Sequence, residues 1–274
     1  MNTEEIVKLA LSEDIGTGDI TTEYLDLPKK RNTAYLLAKQ EGVLCGLEVA
    51  KLTFKTVDDG IKFLAYKKDG DSLKIGDMIA KIEGYSGSIL QGERVALNFL
   101  QRLSGIATMT KLYSYKIKKY KAKLLDTRKT TPLLRGLEKY AVRVGGGYNH
   151  RHGLYDMILI KENHIKAVGG ITKAINLVKK INTTYKIEVE VTNLDEVKEA
   201  VKCNVDRIML DNMTTELMKK SVEDYSDLVE FEASGNVSLE NIEEIAATGV
   251  DFISSGALTH SYKSPDISLL FSIE

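Results

Sequence analysis

The sequence predicts an α/β protein in two parts: a mixed unit with antiparallel strands, then an α/β barrel. Three observations predict it. Six short apolar runs in the last two-thirds of the chain each close on a charged or small polar residue. These runs recur roughly every 20 to 35 residues with amphipathic helical stretches between them, the alternation of a parallel sheet covered by helices. The first 85 residues instead carry short strands separated by Asp-Gly and Gly-Asp turns, which suit antiparallel neighbours. A chain of 274 residues has room for such a barrel beside a smaller domain.

Taken in order, Thr3 reads as the N-cap of a first helix, with Glu4 and Glu5 in its first turn and Ile6, Val7, Leu9 and Ala10 on one face. Gly16 should end it. Residues 33–46 read as one or two strands and 46–57 as a helix. From 61 to 85, turns at Asp69-Gly70-Asp71, Gly76-Asp77 and Glu83-Gly84 divide short strands. A long amphipathic helix follows from about Ser88 to Leu103, with Leu90, Leu97, Leu100 and Leu103 on one stripe and Arg94 among its polar positions. The boundary falls at Ser104-Gly105. This gives a first domain over 1–104 and a barrel over 105–260, with 261–274 returning to pack on the first domain.

The barrel runs are Lys123-Leu124-Leu125 ending at Asp126, Met157 to Ile160 ending at Lys161, and Ile187 to Val191 carrying Glu188 and Glu190. Then come Ile208-Met209-Leu210 ending at Asp211, Val229-Glu230-Phe231 ending at Glu232, and Phe252-Ile253 ending at Ser254-Ser255-Gly256. Catalytic groups of such barrels sit at the C-terminal ends of the strands, so charges repeated at that end of successive runs point to an enzyme.

Composition narrows the partners. A net charge of −1 argues against a nucleic-acid binder. Between Lys121 and Lys166, ten Lys and Arg stand against four acids, a local excess that suits an anionic ligand. Cys45 and Cys203 lack the spacing of a zinc site and read as buried apolar residues. Neither a leader pattern nor a run of 18 apolar residues is present, so the sequence reads as a soluble, cytoplasmic protein with no membrane segment.

Four clusters carry chemistry. In Asp126-Thr127-Arg128-Lys129-Thr130-Thr131-Pro132, two adjacent cations leave a strand ahead of a helix with Pro132 near N1, where Arg can clamp a carboxylate and Lys acts as a mobile charge. Gly145-Gly146-Gly147 precedes Tyr148-Asn149-His150-Arg151-His152. The glycines suggest unusual dihedrals or close approach to a ligand, and His150 with Arg151 suit an anion better than a metal. Glu190, Asp211 and Glu232 read as acids at three successive strand ends facing Lys129, Lys161 and Arg128. Their hard oxygens suit Mg²⁺, completed by a substrate phosphate. Ser234-Gly235-Asn236 and Ser254-Ser255-Gly256 supply small residues for a phosphate cradle.

These motifs together resemble the quinolinate phosphoribosyltransferase family. The likeness extends to Glu13–Thr22, Gly92–Asn98, Leu159–His164, Glu188–Val191, Leu210–Asn212 and Gly256–His260, and so spans nearly the whole chain. The resemblance implies an N-terminal α/β sandwich domain plus an incomplete α/β barrel, the type II phosphoribosyltransferase fold. It implies Mg²⁺-dependent phosphoribosyl transfer from phosphoribosyl pyrophosphate to quinolinate with loss of CO₂, in de novo NAD biosynthesis. By matched position, Arg128, His150, Arg151 and Lys161 would bind quinolinate, joined by Arg94 from a neighbouring subunit of a homodimer. Lys129, Lys161, Glu190, Asp211, Ser234, Gly235, Asn236, Ser255 and Gly256 would bind phosphoribosyl pyrophosphate. Glu190 and Asp211 would hold the metal, and Lys129, Glu190 and Asp211 would be catalytic. Thr192 departs from the family, which often has another acid there. Alternatives are a molybdenum-operon relative using another small acid, or a sensor that binds a phosphorylated metabolite without turnover.

Overall fold

The computed structural model describes residues 2–25, 27, 30–181 and 184–272; Met1 of the amino-terminal reading and the last two residues of the returning tail lie outside them. The chain divides into two compact units, one of 1–111, 131–146 and 262–274, the other of 112–130 and 147–261. The units depart from a simple cut at Ser104-Gly105 because Thr131–Gly146 clusters with the first.

In the first unit, α1 (Thr3–Ile15) is capped by Asn2 rather than Thr3. The Asn2 side chain accepts from the Glu5 N–H while the Glu5 carboxylate accepts from the Asn2 N–H, a reciprocal capping box. A short α2 (Ile20–Tyr24), not expected from the sequence, begins where Asp19 accepts from the Thr22 N–H. The strands β1 (Arg31–Ala38), β3 (Lys62–Ala65), β5 (Met78–Tyr85) and β12 (Ile267–Phe271) form an antiparallel sheet in the order β12-β1-β5-β3, and β2 (Gly42–Val43) pairs with β4 (Ser72–Leu73). The tail strand β12 thus completes one edge. Ala34, Leu36 and Ala38 alternate inward from β1 onto Leu47, Ala50 and Phe54 of α3 (Leu47–Val57), and onto Ile89, Leu97 and Leu100.

The long helix α4 runs from Ser86 to Ile117 without a break at Ser104-Gly105. Its apolar stripe continues through Leu100, Leu103, Ile106 and Ala107, all buried. Ser104 is buried too: its hydroxyl accepts from the Cys45 N–H and donates to the Cys45 carbonyl. Polar residues at that point therefore serve packing, not a linker. After the 131–134 turn comes α5 (Arg135–Val144). Pro132 lies in that turn, ahead of the Leu134 N-cap, so Arg128 and Lys129 are not at a helix N-terminus as expected. The fully buried Glu138 anchors the segment through the Arg102 guanidinium and the Thr131 N–H. Gly145, the first of the three glycines, would set a Cβ 2.4 Å from the Ala107 carbonyl oxygen, so it is small for close packing on α4 rather than for a ligand.

The second unit is an incomplete α/β barrel. Its six parallel strands are β6 (Lys123–Leu125), β7 (Ile158–Ile160), β8 (Ile187–Val191), β9 (Arg207–Asp211), β10 (Glu230–Ser234) and β11 (Phe252–Ser254), in the order β6-β11-β10-β9-β8-β7. The gap falls between β6 and β7, where Tyr148 makes an isolated bridge to Leu125. Helices follow the strands: α6 (Glu162–Val168) and α7 (Ile171–Lys179), α8 (Leu194–Lys202), α9 (Thr215–Tyr225), α10 (Ile242–Ala247) and α11 (Ala257–His260). Asn193 and Thr214 cap α8 and α9 by accepting from the Glu196 and Leu217 N–H groups, which starts each helix within four residues of a strand end. Among the described residues, no helix is long and apolar enough to cross a membrane.

Candidate active site

The strand ends of the barrel enclose a cavity of about 860 Å³. It gathers every candidate residue except Arg94, which lies in the first unit on the exposed face of α4. One wall is cationic. After β6, the Lys129 N–H bonds the Thr127 hydroxyl and the Thr259 hydroxyl bonds the Lys129 carbonyl, which fixes the loop while the lysine side chain stays exposed. Arg128 has its Nε buried with no hydrogen-bond partner. The neighbouring Arg151 bonds the Met157 carbonyl at 3.3 Å; burial and the Arg128 charge both make its own charge less favourable. Two guanidiniums held together in this way leave an unmet demand for negative charge.

The loop that presents His150 and Arg151 is held by a residue outside the candidate set. Asp126 is fully buried and accepts from the Asn149 side chain and from the His150 N–H at 2.9 Å. The acid at the end of β6 is therefore a clamp for the second cluster.

The opposite wall is acidic. Lys161 Nζ pairs with Glu190 at 2.6 Å. Asp211, at the end of β9, has its carboxyl pushed up by burial and by the Glu190 charge, against the pull of Asn212, Lys161 and Lys129. Two hard carboxylates whose charges oppose one another in one cavity fit a divalent cation. Glu232 does not join them facing Lys129, Lys161 and Arg128, as the strand-end reading expected. Its place within β10, two residues short of the strand end, explains why. Ser234, not Glu232, is level with Asp211, while Glu232 is level with Met209, one inward step deeper. There it is fully buried and meets His150 and Arg207. His150, Glu188 and Glu232 bring their ligand atoms within 4.8 Å of one another, a spacing a metal could bridge. Arg207 Nη1 already pairs with Glu232 at 3.1 Å, and His150 Nε2 bonds Glu188 at 3.0 Å, so the cluster stands as a network of ion pairs and hydrogen bonds.

The small-residue loop after β10 has a defined shape. Gly235 adopts φ +93°, and a Cβ there would lie 2.2 Å from Asn212 Oδ1 and 2.9 Å from the Asn212 N. Asn212 and Asn236 also take positive φ and bond one another through their side chains at 3.0 Å. Asn212 and His260 line the cavity without having been singled out, although both stand inside motifs that were. Arg207, at the start of β9, carried no such signal.

Residues 19–104 match the N-terminal domain of quinolinate phosphoribosyl transferase and residues 106–270 its C-terminal domain. The chain belongs to the quinolinate phosphoribosyltransferase family. One relative in the family is a probable nicotinate-nucleotide pyrophosphorylase (carboxylating) of Synechocystis, 48% identical, with the match covering 90% of this chain and 85% of the relative. Another of that name, from Bacillus subtilis, is 44% identical over 94% of this chain and 89% of its own length. The nicotinate-nucleotide pyrophosphorylase structure from Francisella tularensis superposes with a TM-score of 0.95 at 43% identity, covering 98% of this chain and 96% of that one. Family membership agrees with the two-part architecture and its incomplete barrel.

Proposed function

We propose that the protein transfers the phosphoribosyl group of phosphoribosyl pyrophosphate to quinolinate, yielding nicotinate mononucleotide, pyrophosphate and CO₂ in de novo NAD biosynthesis. The observation that carries this reading is the Arg128–Arg151 pair, with a buried Nε unpartnered, facing an acidic wall across one cavity. A dianion answers the guanidiniums, and a ribose that becomes cationic answers the acids. Neither a different small acid nor a non-catalytic sensor accounts for both walls, and the relatives carry the quinolinate enzyme's names.

Arg128, His150, Arg151 and Lys161 orient quinolinate through its carboxylates, with its ring nitrogen toward the ribose. As the bond to pyrophosphate breaks, positive charge grows on the ribose ring, and Glu190 and Asp211 stabilise it electrostatically. Lys129 opposes the charge on the departing pyrophosphate. The loops at Ser234-Gly235-Asn236 and Ser255-Gly256 hold the phosphate groups through their small side chains and main-chain N–H groups, apart from the Ser255 N–H, which is given to the Leu125 carbonyl at 3.0 Å. Once the ring nitrogen is quaternised, it stabilises the electron pair left on the adjacent ring carbon as the C–CO₂⁻ bond breaks; CO₂ leaves, that carbon takes a proton from solvent, and no covalent bond to the protein forms. Glu190 and Asp211 would hold Mg²⁺, which when bound supplies positive charge to the pyrophosphate. The direct test is purified protein with quinolinate, phosphoribosyl pyrophosphate and Mg²⁺, following CO₂ and nicotinate mononucleotide. Absence of both products would overturn the reading.

Gly235→Ala should strain the loop by about 1–3 kcal/mol through the backbone angle alone. The expected result is a KM for phosphoribosyl pyrophosphate raised by about tenfold or more, with that for quinolinate less affected. Equal KM values for wild type and variant would remove the loop from the phosphate site.

The assembly that fits is a homodimer in which Arg94 serves the partner's cavity. Subunits of two inactive variants, Arg94→Ala and Lys129→Ala, are then expected to complement when mixed, restoring about a quarter of wild-type activity because half of the dimers hold one whole site. Continued inactivity after exchange, verified by mass spectrometry, would assign Arg94 to its own chain.

A further inference from the structure

At the cavity floor, His150 and Glu232 belong to a charge cluster whose acids, Glu188 and Glu232, the proposed reaction does not use. Glu188 on β8 and Glu232 on β10 have side chains 1% and 0% exposed, and both approach His150 Nε2, at 3.0 and 3.4 Å. Arg207 on β9 closes the array, with Nη1 3.1 Å from Glu232 and the guanidinium 3.7 Å over the Phe252 ring. Glu188 keeps one oxygen, Oε1, buried without a hydrogen-bond partner. Charges at this depth are poor stabilisers, because desolvation offsets most of their attraction. A function at the site explains their presence better.

Charge balance decides the state of the ring. Burial and the Glu232 charge push the Glu188 carboxyl up to about 7, against the pull of His150 and Arg207; with both carboxylates ionised, they and the one guanidinium are neutral together only when His150 carries both protons. Other groups face the ring's surroundings: Arg151 on its own loop, Arg128 after β6, and the Lys161–Glu190 pair at the rim, while Asp126 takes the His150 main-chain N–H. One contact opposes the cation, since the Arg151 N–H points at Nδ1 from 2.7 Å and suits a neutral ring protonated at Nε2. The Nε2–H gives its one proton to Glu188 at 3.0 Å with Glu232 as a second anionic neighbour at 3.4 Å, and this charge-assisted contact outweighs a single neutral hydrogen bond in a dry interior. Burial pulls the imidazole down, and the hydrogen bonds to Glu188 and Glu232 more than reverse it, to about 9.

We propose that Glu188 and Glu232 are positioning residues, two strand carboxylates that clamp the His150 ring from below and keep it an imidazolium, so that it meets the substrate as a cation. The inference rests on reading the cavity as the quinolinate site. It also gives the buried acids a common purpose: they hold the proton that makes a third positive contact beside Arg128 and Arg151.

The test begins with substrate-free, ¹⁵N-labelled protein, with the His150 ring signals assigned by their loss in His150→Gln. At neutral pH both ring nitrogens should be protonated, with the midpoint of titration well above that of a free histidine. Glu188→Gln and Glu232→Gln should each lower the midpoint by about one unit or more, and Glu188→Asp should recover part of it. A neutral Nε2–H ring in the wild type at neutral pH would overturn the proposal, and this measurement does not depend on the variants folding. In kinetics, the alkaline limb of kcat/KM for quinolinate should move to lower pH in both glutamine variants, mainly through KM. A loss of kcat with the limb unmoved would mean a structural role only. If quinolinate is not the substrate, the kinetic arm is silent while the ring titration still reads the clamp.

Discussion

Nicotinate, which lacks the second carboxylate, is expected to be used at least about a thousandfold less efficiently than quinolinate, as kcat/KM in parallel assays. Sites built to pair a polar group reject analogues lacking it by about 10⁴–10⁵. The structural reason lies in the Arg128–Arg151 pair. Arg151 is already penalised by burial and by the charge of Arg128. A monoanion satisfies one guanidinium and leaves the other half-buried, without a carboxylate and still repelled, a state that costs several kcal/mol in desolvation and repulsion. Hydrophobic complementarity to the pyridine ring cannot make up that difference, because the two ligands share the ring. Comparable turnover of the two acids would show that the pair does not bind the second carboxylate.

The second large effect is expected at Arg128. Hydrogen bonds to charged groups contribute about 1.5–3 kcal/mol, so Arg128→Ala should lower kcat/KM for quinolinate by about tenfold to a hundredfold or more. Arg128→Lys keeps the charge but loses the planar fork, and a loss of about tenfold is expected. The two variants together separate charge from geometry. Alanine also relieves Arg151 of a like charge, so part of the lost affinity should return through a better-paired Arg151. That compensation is gone when Arg128→Ala is combined with Arg151→Ala, so the loss in the double variant should exceed the sum of the two single deletions. Wild-type kinetics in Arg128→Lys would reduce Arg128 to a plain positive charge, and wild-type kinetics in Arg128→Ala would remove it from the site.

Much of the site was legible because its residues announce themselves along the chain. Lys161, Asp211 and Ser234 sit where an apolar run stops, and the end of a barrel strand is where a side chain can reach substrate. The glycines of 145–147 were legible as special but not as to purpose. Close packing and ligand approach both demand a missing Cβ, and only the nearby Ala107 carbonyl distinguishes them. The start of α1 shows the limit of local signals in another way, since Asn2 and Thr3 are both good caps. Asn2 prevails because Glu5 stands three residues on and completes the reciprocal pair. Pro132 misled for the opposite reason: its fixed φ suits a helix start and a turn equally, and here it stands in the turn.

By itself, the sequence determined the alternation of strand and helix in the barrel, the antiparallel character of the first sheet, and which loops carry charge. These follow from periodicity and turn chemistry, properties of neighbouring residues. Tertiary structure alone decided how deep each charge lies and which charge it meets. Glu190 and Glu232 both stand opposite Met209, yet Glu190 pairs with Lys161 at the rim and Glu232 is buried against His150 and Arg207. Equal register therefore does not set equal depth: Glu190 stands one residue and Glu232 two residues before the end of its strand, and the side chains packed around each come from strands far apart in sequence, which no stretch of one strand contains.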